Sequence, residues 1–372
     1  MRIVADKGIP YVTEAFSGLG AITLVEGRSI NRKMIAGADI LLVRSVTPVT
    51  RALIAGTKLK FIASATTGIE HIDLSYIQKC GIGFAYAPGS NARSVAQYVV
   101  AAISQMARKK NLRYLKLGII GVGNIGSLVH TYAEALGMQC LLNDPPKHRL
   151  SGNKIFRLLK EVLAGADFVT LHVPLEKQGS DPTYHLVDTD FLKQMKPGAV
   201  LLNTSRGKVV DEAALKKIRP KLGGLVIDVW DNEPEIDTEM CVMADIATPH
   251  IAGYSFDGKI QGTLMIYHAV CSFLKREPSW DPGKLLAETA GEIDVAKAAE
   301  PVSCAVQSAF PIMRNDAALR EIAPLNAKNR GVGFDALRAQ YPKRLEFCHY
   351  RVHCTKFQNK AAGILKKLGF IV

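Results

Sequence analysis

The chain has 372 residues, more than one hydrophobic core usually serves, so two or three domains are expected. Hydrophobic residues make up 48% and charged residues 22%, a globular composition that excludes disorder and collagen-like structure. Lysine and arginine outnumber aspartate and glutamate by 47 to 34, and the resulting net charge of +13 suits nucleic acid, anionic membrane or small phosphorylated substrates. About half of that excess lies in residues 338–372, where eight basic side chains face the single carboxylate of Glu346. Neither stacking aromatics nor a reader helix accompanies them, so a solvated basic face is expected and no nucleic-acid partner. Apolar runs such as 116–126 and 224–230 are far shorter than the roughly 20 residues that cross a bilayer. The early Asp6 interrupts the first apolar run, so no secretory signal is read and a cytoplasmic location is expected. Seven scattered cysteines without a C-x-x-C (Cys80, Cys140, Cys241, Cys271, Cys304, Cys348, Cys354) read as reduced thiols.

Along the first 90 residues, strands are expected at 3–5, 22–25, 40–43, 61–64 and 82–86, with helical stretches between them such as 10–17, where Pro10 suits a helix start. A helical run carrying Val95, Val99, Ala102, Ile103 and Met106 leads to a second series of strands at 115–120, 139–143, 168–172, 199–203, 225–229 and 246–247. Helices are expected between them at 124–136, 155–164, 188–194 and 211–217, which describes a doubly wound sheet. A long helix at 254–274 follows the last strand and is placed to return to the first domain, making that domain discontinuous. The Pro- and Gly-bearing stretch 277–283 reads as a linker. Beyond it, a third unit is expected with a strand at 347–354 and a helix at 356–368. The domain boundaries so drawn are 1–92 with 256–282, then 93–255, then 283–372.

The sharpest motif is Gly121-Val122-Gly123-Asn124-Ile125-Gly126, which follows a strand and opens a helix. Gly121 permits the tight turn, Gly123 lets backbone approach a pyrophosphate, and Gly126 allows close helix–strand packing. The helix N-terminus offers free N–H groups to the phosphates. Asp144 ends the next strand, where a carboxylate accepts hydrogen bonds from both hydroxyls of the adenine ribose. It favours NAD over NADP, whose 2'-phosphate it would repel.

Hydride transfer from an alcohol also needs a proton acceptor and a cationic anchor near the C-terminal ends of later strands. Arg206 follows one strand and offers a planar fork for a carboxylate. His250 follows the last strand and exchanges a proton near neutral pH, and Glu233 is placed to orient it and favour its protonated form. Taken singly, such an arginine is more often a surface ion-pair partner and such a histidine a satisfied polar residue.

Taken together, in this order behind a dinucleotide fingerprint, these residues make the chain resemble the D-isomer-specific 2-hydroxyacid dehydrogenases. The wider family shares the fingerprint, the strand end His172-Val173-Pro174-Leu175, the stretch from Lys196 to Asn203, and the Arg, Glu, His trio. Narrower features resemble the branch of that family acting on 4-phospho-D-erythronate. They are Asp144-Pro145-Pro146-Lys147, His250 through Tyr254, Gly258-Lys259 and Gly262-Thr263. In the C-terminal unit they are Arg314-Asn315-Asp316, Leu319-Arg320, Phe334-Asp335 and Lys367 through Phe370.

The resemblance implies an α/β fold: a Rossmann-type NAD domain, a discontinuous flavodoxin-like substrate domain, and a small C-terminal α/β domain that builds a homodimer. It makes Arg206, Glu233 and His250 catalytic, with His250 the proton donor or acceptor. Ser45, Thr66 and Tyr254 would touch substrate, with Arg44 placed to reach its phosphate. Gly121, Gly123, Asn124, Ile125, Gly126, Asp144, Val173, Thr204, Ser205, Arg206, Asp228 and Gly253 would line the NAD site. The implied reaction is NAD-dependent oxidation of 4-phospho-D-erythronate to (R)-3-hydroxy-2-oxo-4-phosphooxybutanoate in pyridoxal 5'-phosphate biosynthesis, with no metal and no membrane partner. Departures from the branch are Lys7-Gly8, where an acidic residue and Asn are common, Gln97, where Glu is usual, and Val173, where some members carry a hydroxyl.

Rival readings are a 3-phosphoglycerate dehydrogenase with the same trio, and a non-enzymatic NAD-sensing regulator, which would not need the trio. A serine hydrolase is excluded by the absence of a G-x-S-x-G elbow. A zinc site in 348–354 is disfavoured because strand parity sets Cys348 and Cys354 opposite His349 and His353.

Overall fold

The structure, a computed structural model, describes residues 1–107 and 110–372. Short aliphatic runs form its strands. In the first sheet these are β1 (Arg2–Asp6), β2 (Ala21–Val25), β3 (Ile40–Val43), β4 (Phe61–Ser64) and β5 (Gly83–Tyr86), all parallel in the order β2-β1-β3-β4-β5. That order, 2-1-3-4-5, is flavodoxin-like. β3 and β4 are buried along their whole length, as a parallel sheet covered on both faces requires. One face packs Ile3, Phe16 and Phe61 against Ile266, Tyr267 and Val270 of the helix Phe256–Leu274. Phe16 meets Tyr267 edge to face at 5.5 Å, and Thr263 Oγ1 donates to the Pro10 carbonyl at 2.9 Å. The unit that contains this sheet is therefore discontinuous: Met1–Asn91 with Ser255–Glu288.

The second unit is Ala92–Tyr254 with Thr289–Val372. Its sheet comprises β6 (Lys116–Ile120), β7 (Gln139–Asn143), β8 (Phe168–Leu171), β9 (Val200–Asn203), β10 (Gly224–Ile227) and β11 (Ile246–Ala247), parallel in the order β11-β10-β9-β8-β6-β7. The chain runs from β6 outward to β7 and returns to β8 on the other side of β6. The strand order thus reverses at β6, and a crevice opens beyond its C-terminal end, where the glycine turn begins.

The C-terminal residues add a parallel pair, β12 (Gly291–Asp294) with β13 (Tyr350–His353), and the helices Pro301–Ala309, Ile312–Ile322, Ala327–Ala339 and Asn359–Leu368. Sequence pattern suggested a separate third domain here, but the segment belongs to the second compact unit. Its Val306, Phe310, Phe347 and Leu365 share one core with Val95, Tyr98, Val99 and Ile103 of the helix Ala92–Met106. Its Leu319, Ala323 and Phe334 join Met240, Cys241 and Ala247 in another. The segment's apolar side chains pack on one another, as Phe347 does on Phe370 at 4.4 Å, and on the helix Ala92–Met106 as well.

Smaller differences concern element ends. A helix at Pro145–Ser151 was not anticipated, although Asp144 caps it and proline fills its first turn. The strand expected at 347–354 is shortened to β13 because Phe347–His349 form a 3₁₀ turn.

Candidate active site

The glycine turn has the features a dinucleotide requires. Gly121 adopts φ 85°, and a Cβ there would sit 2.8 Å from the His172 carbonyl oxygen. A Cβ on Gly126 would lie 2.1 Å from the Gly121 oxygen, so these two glycines are demanded by packing. Gly123 differs: a Cβ there would meet no protein atom within 4 Å, leaving the space that an approaching pyrophosphate fills. Asn124 and Ile125 open the helix Asn124–Ala135 with the unpaired N–H groups of its first turn. Asp144 is fixed by two backbone donors, Val122 N–H to Oδ2 at 2.8 Å and Lys147 N–H to Oδ1 at 2.9 Å. Each oxygen keeps a lone pair for a ribose hydroxyl. Lys147, not singled out from sequence as a site residue, reaches the Val122 carbonyl with its Nζ and ties this carboxylate loop to the turn. Val173 packs beside Gly121, and His172 hydrogen-bonds Thr170 at 3.0 Å, its ring driven by burial to a pKa of about 3.

The loop after β9 presents Arg206. Asn203 organises it, since its Oδ1 accepts from the Ser205 N–H and hydroxyl while its Nδ2 donates to the Arg206 carbonyl. Thr204 and Ser205 are buried within this loop. Gly207 then passes so close to the loop after β10 that a Cβ would fall 1.9 Å from the Trp230 oxygen. Arg206 is thereby brought beside the segment that carries Glu233.

Glu233 and His250 form a pair. The imidazole Nδ1 lies 2.8 and 3.0 Å from the two carboxylate oxygens, and Glu233 Oε1 also accepts the Trp230 N–H at 3.0 Å. Burial alone would raise the Glu233 pKa. The His250 charge and hydrogen bond, the Trp230 N–H and the Arg338 charge outweigh it, so the carboxyl is held below its ordinary value. An ionised carboxylate only accepts hydrogen bonds, so Nδ1 carries a hydrogen, and whenever the ring is neutral it is Nε2 that presents the lone pair.

His250 itself sits at φ 56°, a left-handed conformation uncommon outside glycine, though histidine enters it more readily than most residues. Asp228 holds the backbone that follows it. Its Oδ1 accepts from the Ile251 N–H at 2.8 Å and the Thr248 hydroxyl at 2.6 Å, and its Oδ2 from the Ala252 N–H at 3.0 Å. Gly253 follows directly. Tyr98 extends the network to Thr248 at 2.7 Å, and Trp230 Nε1 donates to the Thr248 carbonyl at 3.0 Å. Sequence reading missed Tyr98, Thr248, Trp230 and Asn203, whose residue types carry no signal apart from this geometry.

Tyr254 closes the second unit. Its ring lies under the Arg338 guanidinium at 5.5 Å and meets Tyr341 edge to face at 5.8 Å. The other substrate candidates belong to the first unit. There Ser45 is exposed, and Thr66 donates to the Gly68 carbonyl at 2.8 Å. The Ser64 hydroxyl therefore donates to Thr66 across 2.6 Å and accepts from His71 Nε2 at 3.0 Å. Arg44 is engaged by the buried Asp6, through Nε at 2.9 Å and Nη2 at 3.1 Å. Gly8 makes room for it, since a Cβ there would collide with the guanidinium.

A reversed-order parallel sheet with a glycine turn, an oriented imidazole and a nearby guanidinium defines a nicotinamide-dependent hydroxy acid dehydrogenase. A family model described as D-isomer specific 2-hydroxyacid dehydrogenase, NAD binding domain, matches residues 91–252. The erythronate-4-phosphate dehydrogenase of Salinibacter ruber is 44% identical, covering 95% of this chain and 94% of its own. That of Escherichia coli is 39% identical over 100% of this chain and 98% of its own. Among solved structures, the D-lactate dehydrogenase of Aquifex aeolicus with NAD and lactic acid is 26% identical with a TM-score of 0.62. It covers 74% of this chain and 96% of its own. The chain belongs to the D-isomer-specific 2-hydroxyacid dehydrogenase family, in its erythronate-4-phosphate dehydrogenase group.

Proposed function

We propose that the protein catalyses the NAD-dependent oxidation of 4-phospho-D-erythronate at C2, a step of pyridoxal 5'-phosphate biosynthesis. The reaction type is carried by the 2.8 Å contact between His250 Nδ1 and Glu233. It leaves Nε2 free to take the hydroxyl proton, while the carboxylate stabilises the imidazolium that forms. The substrate is supported by full-length likeness to relatives of that name.

When bound, NAD supplies the acceptor for the C2 hydride. Gly121, Gly123, Asn124, Ile125 and Gly126 would hold its phosphates and Asp144 its ribose. Val173, Thr204, Ser205, Asp228 and Gly253 would line the rest of the site. Arg206 holds the substrate carboxylate and polarises the developing carbonyl oxygen. The likeness to that branch assigns further substrate contacts to Ser45, Thr66, Arg44 and Tyr254.

The working form in this reading is a homodimer in the cytoplasm. The homodimer rests on the likeness to the family, and all seven cysteines are free thiols, as a reducing compartment keeps them. Among the described residues no helix is long and apolar enough to cross a membrane.

The test is to assay the purified protein with NAD on 4-phospho-D-erythronate and on 3-phosphoglycerate. A clear preference for the four-carbon acid in kcat/KM is expected, reduced by Tyr254→Phe, because a site built to bond a hydroxyl discriminates against an analogue lacking it. Equal efficiencies, or a preference for phosphoglycerate, would assign the wrong branch.

A further inference from the structure

The C-terminal segment reaches the catalytic pair. Its helix Ala327–Ala339 runs against the loop after β10 so closely that a Cβ on Gly331 would lie 3.3 Å from the Glu235 side chain and 3.5 Å from that of Pro234. From the same helix Arg338 extends over the Tyr254 ring, 5.5 Å from its centroid, with Phe334 at 5.8 Å. Burial works against its charge, but Tyr254, which also hydrogen-bonds the guanidinium, together with Glu233 and Asp335 more than compensates, so the guanidinium stays protonated. Its Nε is buried and has no hydrogen-bond partner among the described residues. Arg344 shares that last property, yet its fork is committed to Ser94 and Gln97, away from the catalytic pair.

We propose that Arg338 is a substrate-binding residue that receives the terminal phosphate of the hydroxy acid. The inference rests on the reading of the substrate given above and deepens it. A molecule with a carboxylate at one end and a phosphate at the other needs two cationic anchors. Arg206 serves the carboxylate beside His250. Arg44, the candidate for the phosphate, has two of its three guanidinium nitrogens engaged by Asp6. Arg338 is charged, is half-buried with its Nε out of water, and stands next to Tyr254 and Glu233 in the same compact unit. A guanidinium in such surroundings is the side chain best matched to a phosphate dianion. The C-terminal segment then contributes to specificity as well as to the core.

The experiment uses the full-length enzyme with Arg338→Gln and Arg338→Lys. It measures kcat, KM for 4-phospho-D-erythronate, competitive inhibition by inorganic phosphate, and NAD affinity. The expected result for Arg338→Gln is a KM raised about 30-fold or more and phosphate inhibition weakened to match. Its kcat should keep the wild-type pH profile and its NAD affinity should stay within about twofold; Arg338→Lys should recover part of the KM. Unchanged KM and phosphate inhibition, with kcat lowered and its pH profile displaced, would overturn the proposal and make Arg338 a positioning residue for Glu233. Loss of NAD affinity in both variants would overturn it in favour of a purely structural role. If wild-type enzyme oxidises 3-phosphoglycerate instead, the substrate reading fails, while the phosphate-inhibition series still decides the role of Arg338.

Discussion

Thr248 donates its hydroxyl hydrogen to Asp228 across 2.6 Å and thereby sets the direction of a buried chain, because the hydrogen linking Tyr98 to Thr248 must then come from Tyr98. The chain ends on the carboxylate that holds Ile251 and Ala252, immediately after the left-handed His250. Burial pushes the Asp228 pKa up, and the His250 charge, the Thr248 bond and these two N–H groups pull it back without cancelling the rise. Thr248→Val removes one of the lowering donors and leaves Tyr98 unpaired. We expect a stability loss of roughly 1–3 kcal/mol by urea denaturation, together with a lower kcat. Tyr98→Phe leaves the Asp228 donors intact and should cost less. Equal kcat in Thr248→Val and wild type would show that the chain does not hold the histidine loop.

For the proposed catalytic pair Glu233 and His250, the informative change is Glu233→Gln. A glutamine amide can donate to Nδ1, which would place the hydrogen on Nε2 and remove the lone pair that accepts the substrate proton. The expected fall in kcat is on the order of 10²- to 10⁴-fold, with NAD affinity retained, and Glu233→Asp should recover part of it. Wild-type turnover in Glu233→Gln, measured by NADH absorbance, would remove Glu233 from the mechanism.

The positions of the strands and the glycine turn were legible because parallel strands buried on both faces read as aliphatic runs, and because only glycine fits at Gly121 and Gly126. The C-terminal segment was harder. Gly331, Gly333 and Val332 obscure the helical pattern of 327–339, and the apolar residues at 301–322 divide between two cores instead of marking one face. Arg206, Glu233 and His250 were singled out through their order along the chain. Thr248, Tyr98 and Arg338 make contacts between residues 20 to 150 positions apart, which no local spacing encodes.

His172 and His71 predict a loss of stability in mild acid. Burial drives His172 from 6.5 to about 3 and His71 from 6.5 to about 4, so both are neutral in the folded protein. Below pH 6.5 the unfolded chain takes up protons that these folded sites refuse. Their contribution is therefore complete above that pH and is lost as pH falls toward the folded values, by up to about 1.4 kcal/mol per pH unit for each group. Thermal melts should show the transition falling between roughly pH 7 and pH 5. His172→Asn should flatten that dependence, and an identical slope in the variant would assign the acid lability elsewhere.

The last prediction concerns Gln97, which stands where the family branch usually has glutamate. It is fully buried, its Nε2 has no hydrogen-bond partner among the described residues, and its Oε1 accepts from Arg344 Nη1 at 3.3 Å. Arg344 is buried too, packed over the Phe310 ring at 4.2 Å, and burial lowers its pKa despite opposing charge from Tyr341 and Glu346. A carboxylate at position 97 would pair this cation and remove the orphan amide. Against that stands the desolvation of the new carboxylate, but the arginine is already out of water in the wild type, so only one of the two charges is newly buried. We expect Gln97→Glu to stabilise the protein, by less than the roughly 1.5–3 kcal/mol of a hydrogen bond to a charged group because desolvation of the carboxylate opposes it. In an Arg344→Met background the same change should destabilise, since it would bury an unpaired carboxylate. Equal effects of Gln97→Glu in the two backgrounds, measured as a double-mutant cycle by urea denaturation, would show that the two side chains are not coupled.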